Sequence, residues 1–456
     1  MSFLLPIFYD KASPATRLHR SRLILLLGGL AVVLLLLLGY SSHGLGALPL
    51  SAIGLDRAFE HTFASNAGSK SASRPLSIPA ATRLQNELFA QTGRHVRPTC
   101  SWTSWHDTRF APLRNTNRRI MITILLHQNE GTLASFAQEL PVLLEWVGAH
   151  NAFVSIYESG STDRTTEWLR SLGGILDALS VKHQIVSLGD TRVENAEGRR
   201  RIPVLAAARN AALAPLFSGQ VGAALGGEPD EIYFLNDIYF CAPDLLEVLL
   251  QYRQQGMHQA CATDWDELIY DRWVLRAISG RSWWRREELI DYFSPPRDYT
   301  KELPGTLLDD EADRRRWESH LPLQVFSCWN GATVIDAKAF LPPHNMRFRQ
   351  SKADWEDESH SIPLSLTSKA SECFLSSVDL WKLGFNRIAI IPKASVAYGV
   401  NTYDVHRKDG EFFAPKGDQE VFEWIGNWKE TPPKEVSNQD YAYWHVTERF
   451  GPWDEQ

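Results

Sequence analysis

The hydrophobic pattern divides the chain into two unlike parts. Residues 23–39 read LILLLGGLAVVLLLLLG, an unbroken uncharged run. As a helix this run spans about 26 Å, close to the hydrocarbon thickness of the thinner early secretory membranes. Lys11, Arg17, Arg20 and Arg22 precede it, against a single acid, Asp10. That positive excess predicts a transmembrane signal anchor at 23–40, with residues 1–22 cytosolic and the rest lumenal. A cleaved signal peptide is the competing reading; the length of the apolar run and of its N-terminal flank favour the anchor.

Residues 41–80, rich in Ser, Ala, Gly and Pro, predict a spacer, and 81–117 a mixed lead-in to the body of the protein. From Arg118 the pattern changes. Ile120–Leu126 is a strand-type run, and Leu133, Phe136, Leu140, Leu143, Leu144 and Val147 then recur with helical period over 132–147. Further strand-type runs fall at 152–157, 184–188 and 231–235, and helical stretches at 162–172 and 203–216. Such alternation predicts an α/β domain, with a mostly parallel sheet and helices on both faces. Residues 280–322 are charged and read as an inserted excursion. The pattern resumes at Leu323 and runs to about Tyr398, which sets the domain at 118–400. The aromatic-rich tail, 401–456, reads as a packed extension, and no internal repeat is present.

Composition narrows the classes. A chain of 456 residues, 44% hydrophobic, buries a sizeable core and is not wholly disordered. A net charge of −7 gives no basic excess for nucleic-acid binding. Five scattered cysteines are too few for a disulfide scaffold, and no C-x-x-C pair suggests structural zinc. In a lumenal body a disulfide is permitted, and an odd cysteine is left over. No N-x-[ST] sequon occurs, so N-glycosylation is not expected. The 16 tryptophans suit sugar faces, although Trp more often belongs to a core.

Three motifs carry candidate chemistry. E-S-G-S-T-D-R-T, from Glu158 to Thr165, follows a strand and opens a helix. Gly160 permits a tight turn, Ser161 or Thr162 caps the helix, and Asp163 suits its positive end. The carboxyl end of a parallel strand is where open α/β sheets bind nucleotides, yet any strand–turn–helix joint favours the same residues. Ala208-Arg209-Asn210 lies inside the helical stretch from Pro203; Arg209 suits a phosphate or a carboxylate, or simply a helix surface. The strand at 231–235 ends in Asn236-Asp237. A carboxylate there suits a hard divalent cation beside a diphosphate, and equally a turn.

In this order and at this spacing the three motifs resemble the glycosyltransferase A-type fold, whose pattern is D-D-G-S-T-D-x-T, then A-R-N, then an acidic strand end. His127, Gln128, Asn129 and Glu130 fit its nucleotide-entry loop. Trp329-Asn330-Gly331, Ser371-Glu372-Cys373 and the run 387–396 resemble its acceptor-side half. Cys373 stands where an inverting enzyme carries its base aspartate, and Tyr398 near where a metal-binding histidine often ends the last strand. The sequence is similar, over about 118–400, to the fungal capsule-associated α-1,3-mannosyltransferases, which share L-H-x-N-E, E-S-x-S-x-D, A-x-x-R-N, F-x-N-D, W-N-G and S-E-C elements.

That resemblance implies a GDP-mannose donor, a divalent cation (Mn2+ or Mg2+), a mannose-containing glycan acceptor and an α-linked product. GDP-mannose is itself α-linked, so the configuration is retained. It implies a single-pass type II protein of the Golgi or endoplasmic reticulum membrane with a lumenal catalytic domain. Asp237 is then the metal ligand and, with Glu372, the catalytic candidate. His127, Glu158, Ser159, Asp163, Arg209 and Asn236 are the nucleotide-sugar candidates, with Arg209 supporting the diphosphate or fixing Glu158. Trp329, Asn330 and Asp379 are candidates for holding acceptor or donor sugar. Asp264 and Asp266 either line the cleft or are solvated loop charges. Two competing readings are a non-catalytic glycan-binding or scaffolding member and a transferase using another donor such as UDP-xylose.

Overall fold

Side-chain alternation on the first strand fixes where the layers lie. The computed structural model describes residues 97–189, 201–266, 268–284, 308, 310–351, 370–407, 424–438 and 449–455, all within the unit Thr62–Gln456. A short helix, α1 (Ser104–Phe110), leads into β1 (Ile120–Leu126). Ile120, Ile122 and Ile124 enter one apolar cluster and Met121 another. β2 (Ala152–Glu158) divides in the same way, Val154 and Ile156 against Phe153. Strands buried on both faces need helices on both.

The first face is covered by α2 (Glu130–Val147), through Leu133, Phe136, Leu140 and Leu144, and by α3 (Thr165–Ala178), through Trp168, Leu172 and Ile175. After β3 (Lys182–Val186) comes α4 (Arg201–Ala212), followed by two short helices, Ala214–Phe217 and Gln220–Leu225. Ala206, Leu216 and Val221 from these three pack on the second face. β4 (Glu231–Leu235) is followed by α5 (Ala242–Gln255), which returns to the first face through Leu245 and Leu249.

β5 (Gln259–Trp265), the two-residue β6 (Arg276–Ala277), α6 (Glu311–Glu318), β7 (Leu323–Ser327) and β8 (Ala332–Asp336) follow. Next come α7 (Glu372–Lys382), which adds Phe374 and Val378 to the second face, and β9 (Ile388–Ala397). α8 (Val400–Arg407) and a hairpin of β10 (Glu435–Asn438) with β11 (Arg449–Pro452) end the described chain.

The main sheet has nine strands in the order β3-β2-β1-β4-β8-β5-β9-β7-β6. β1 to β4 are parallel neighbours, as are β5 and β9, and β8 and β7 run against the rest. The sheet is therefore mostly parallel with two reversed strands. β8 lies between β4 and β5, so the W-N-G turn that precedes it is delivered to the edge where β4 and β5 end.

The cytosolic tail 1–22, the anchor expected at 23–40 and the spacer 41–80 lie outside the described residues, as do parts of the 280–322 excursion and of the 401–456 extension. Among the described residues no helix is long and apolar enough to cross a membrane. Two disulfides, Cys100–Cys241 and Cys261–Cys328, leave Cys373 as the odd, buried thiol.

Candidate active site

The carboxyl ends of β1, β2, β4, β5 and β9 and the turn before β8 converge on one edge of the sheet, the edge where open α/β sheets bind ligands. On the β1–β2 side the loops are cross-bonded. Gln128 Oε1 accepts from the amides of Thr162 and Asp163, at 3.1 Å each, and Ser161 Oγ accepts from Gln128 N at 2.8 Å. Ser159 N donates to Leu126 O at 2.9 Å, while buried His127 donates its amide to Asn129 Oδ1. Asn129 then donates its own amide to Thr165 Oγ1 at 2.8 Å.

The acids of this turn serve the backbone. Glu158, fully buried, accepts from the amide of Ser161 with one oxygen and from that of Leu188, at 2.7 Å, with the other. Asp163 accepts from Glu130 N at 3.1 Å and from Thr165 N at 3.0 Å. Both carboxylates take part in shaping the loops. The reason is local: amides at a helix start are strong donors for the nearest anionic oxygen. Gly160, at φ +85°, supplies the left-handed residue that the turn needs.

Asp237 follows β4 and is the partly buried acid at the centre. Its Oδ2 accepts from Asn129 Nδ2 at 3.1 Å, which joins the acidic strand end to the loop gripping the 158–165 turn. Burial raises its pKa; the Asn129 bond and the charges of Arg209 and Arg201 offset part of that rise.

Beside it, Asn236 organises the floor. Its Oδ1 accepts from Trp329 Nε1 at 3.1 Å and from an Arg209 guanidinium nitrogen at 3.3 Å, and its Nδ2 donates to the Tyr398 hydroxyl at 3.1 Å. Arg209 Nε donates to Glu372 Oε1 at 2.9 Å, and its guanidinium lies 4.4 Å from the Trp329 ring centroid. Arg209 therefore pairs with Glu372 and not with Glu158. Cys373 Sγ sits 3.4 Å from Glu372 Oε1, and burial first of all holds that thiol well above its ordinary pKa.

The three candidates for sugar contact fall in different surroundings. Trp329 is 1% exposed and packs among Phe234, Phe348 and Arg209, a core tryptophan whose indole nitrogen serves Asn236. Asn330, also buried, sits at φ +52° and donates its Nδ2 to Asp264 Oδ1 at 2.7 Å. Asp379 is held in a two-pronged ion pair with Arg349, at 2.7 and 2.8 Å, three residues before the end of the Glu372 helix.

Two acids beyond the principal motifs enter the site. Asp264, at the end of β5, and Asp271, after it, hold the W-N-G turn: Asp271 Oδ2 accepts from Asn330 N at 3.3 Å, and Asp264 Oδ1 from Asp271 N at 3.3 Å. Gly331 O in turn accepts from Asn236 N at 2.8 Å. Gly331, at φ +73°, must be glycine, since a Cβ there would stand 2.9 Å from Ile238 Cγ2. Burial raises the pKa of both acids, and the Asp264 charge raises that of Asp271 further. Tyr270 and Tyr398, with ring centroids 4.2 Å apart, flank the acids and are themselves shifted upward by burial and by the carboxylate charges. Asp266 is exposed.

The acid after β4, the buried arginine–glutamate pair and the interlocked β1 and β2 loops share one sheet edge, and likeness to known proteins makes the class that of a glycosyltransferase. Residues 119–379 match the family described as Cryptococcal mannosyltransferase 1, and the chain belongs to that family. It is 29% identical over 415 residues to Alpha-1,3-mannosyltransferase CMT1 of Cryptococcus neoformans, covering 82% of this chain and 81% of that protein. Among solved structures, mannosyltransferase PcManGT from Pyrobaculum calidifontis in complex with GDP-Man and Mn2+ is 9% identical, over 73% of this chain and 72% of its own, at a TM-score of 0.32. S. aureus TarS is 13% identical, over 61% and 60%, at a TM-score of 0.31.

Proposed function

We propose that this glycosyltransferase moves mannose from GDP-mannose to a mannose-containing glycan, forming an α-1,3 linkage with retention, and uses Mn2+ or Mg2+ at Asp237. The observation that carries the reading is the hydrogen bond from Asn129 Nδ2 to Asp237 Oδ2, which makes the nucleoside side and the acidic strand end one site. Family membership and the likeness to an α-1,3-mannosyltransferase support mannose as the transferred sugar.

Asp237 fits a hard cation. It offers an anionic oxygen donor, partly exposed, with one side-chain hydrogen bond, from Asn129. Among the described residues no His, Cys, Asp or Glu completes a three-ligand cluster with it; a Mg2+ ion held by one carboxylate would take further oxygen donors from diphosphate and water. Such a cation, when bound, neutralises charge gathering on the leaving diphosphate.

The protein's own groups do the rest. Arg209, fixed by Glu372 and Trp329, brings a rigid positive charge beside Asn236, and preorganised charge of this kind favours an anionic leaving group. Glu372 is committed to Arg209 and position 373 carries a thiol, so neither offers a free carboxylate base. This supports a front-face course. The bond from the anomeric carbon to the diphosphate oxygen breaks, and the bond to the acceptor oxygen forms on the same face. The acceptor's hydroxyl proton passes to the departing diphosphate. The reading sets the catalytic domain in the lumen of the Golgi or endoplasmic reticulum, attached by the N-terminal anchor; two disulfides support an oxidising compartment.

The test is a transfer assay with purified full-length protein, a mannobiose acceptor, Mn2+ or Mg2+, and a panel of nucleotide-sugars. The expected result is product from GDP-mannose with an α anomeric proton by NMR. Transfer from UDP-xylose instead overturns the donor, and a β proton overturns retention. Folded protein that neither transfers nor hydrolyses any donor supports the scaffolding reading.

A further inference from the structure

The Asp264–Asp271 pair is more elaborate than holding one turn requires. Asp264 is fully buried and spends Oδ1 on Asn330 Nδ2 and Asp271 N. Its Oδ2, equally buried, has no hydrogen-bond partner. Asp271 is only half-buried and spends Oδ2 on Asn330 N. Neither acid is in an ion pair with any described residue. A buried acceptor without a donor is costly, by about 1–3 kcal/mol and more when charged, so this oxygen calls for a partner from outside the chain.

The chemistry of the missing partner is constrained. A cation shared with Asp237 is disfavoured, because no three donor atoms of Asp237, Asp264 and Asp271 come within one metal-sized cluster. Carboxyl oxygens lined up without a cation suit hydroxyl partners, which both donate and accept. Location selects which hydroxyls. β8 alone separates β4 from β5, so the pair lies about 10 Å along the edge from the end of β4, within reach of a hexose joined to a diphosphate there. Asn236 and the pair are also coupled through one turn, by Asn236 N to Gly331 O and Asn330 Nδ2 to Asp264.

We propose that Asp264 and Asp271 form the hydroxyl-binding wall of the donor-sugar subsite and determine which hexose is accepted. This rests on the nucleotide-sugar reading above. The Tyr398 and Tyr270 rings, which stand beside these acids, form the flanking apolar wall.

The experiment is calorimetric titration of the full-length protein with GDP and with GDP-mannose, both in Mn2+, for the wild type, Asp264→Asn and Asp271→Asn. The wild type is expected to bind GDP-mannose more tightly than GDP. Each variant is expected to keep its GDP affinity and lose about 10- to 100-fold for GDP-mannose. Unchanged GDP binding serves as the folding control, and Asp271→Asn, on the half-buried acid, covers the case in which Asp264→Asn fails to fold. Equal wild-type affinity for GDP and GDP-mannose overturns the hydroxyl wall, as does a sugar preference retained in both variants or an equal loss for both ligands. Wild-type preference for another nucleotide-sugar over GDP-mannose overturns the donor assignment and leaves the wall to be read from that donor against its own nucleotide.

Discussion

Arg209 and Glu372, separated by 163 residues in sequence, meet through a 2.9 Å hydrogen-bonded ion pair with side chains 9% and 2% exposed. The pair ties α4 to the start of α7 and places a permanent cation over Trp329. Breaking a buried ion pair strands a charge and costs about 3–5 kcal/mol, whereas removing both partners costs much less. Glu372→Gln is therefore expected to lower thermal stability sharply and Arg209→Met/Glu372→Gln to recover part of the loss, as read by thermal denaturation. A glycosyl adduct trapped on Glu372 in a mass spectrum contradicts this assignment, because a nucleophile needs that carboxylate free of Arg209.

A second buried acid sets a pH dependence away from the site. Glu139, on α2, accepts from Ala242 N at 2.8 Å, and burial raises its pKa from 4.5 to about 7, with the nearby Asp244 charge adding to the rise and the Gln138 bond and Arg97 opposing it. Arg407 also stands within electrostatic reach. The native state then holds this proton more tightly than the unfolded chain. Its contribution is most favourable below pH 4.5 and is lost as pH rises towards about 7, by no more than about 3 kcal/mol. Glu139→Gln is expected to match the wild type near pH 4 and to exceed it in stability at pH 8. Equal stability of the two proteins at pH 8 contradicts the shift.

The Cys261–Cys328 disulfide closes a loop spanning 67 residues that carries Asp264 and Asp271. The chain-entropy account gives such a closure about 4 kcal/mol. Paired replacement, Cys261→Ala with Cys328→Ala, is expected to lower the melting temperature by several degrees and to loosen the W-N-G turn, weakening nucleotide-sugar binding more than nucleotide binding. An unchanged melting temperature contradicts it.

Much of this architecture is legible in the sequence. Ile120–Leu126 and Glu231–Leu235 agree with the structure residue for residue, because a β-branched or aromatic run bounded by polar turns allows one register. β5 is less legible. Gln259, Cys261 and Thr263 alternate with two alanines, and the one large apolar side chain, Trp265, stands at the very end of the strand. Asp271 is invisible for a related reason: its partner Asn330 lies 59 residues away, and nothing local distinguishes it from a loop charge. Glu158 and Asp163 are ambiguous for another reason. Acids in a strand–turn–helix joint signal ligand contact and amide capture alike, and in the structure both accept from backbone amides. Trp329 reads in the sequence as a sugar contact or a core residue alike, and only the tertiary structure shows it packed between Phe234 and Phe348.

The central claim concerns the carboxylate of Asp237, and its most direct test compares wild type with Asp237→Ala for Mn2+-dependent GDP binding and for mannose transfer from GDP-mannose. The account predicts that the variant folds, binds GDP equally with and without Mn2+, and transfers at least about 100-fold more slowly. Undiminished transfer by Asp237→Ala, with metal-dependent GDP binding intact, contradicts it.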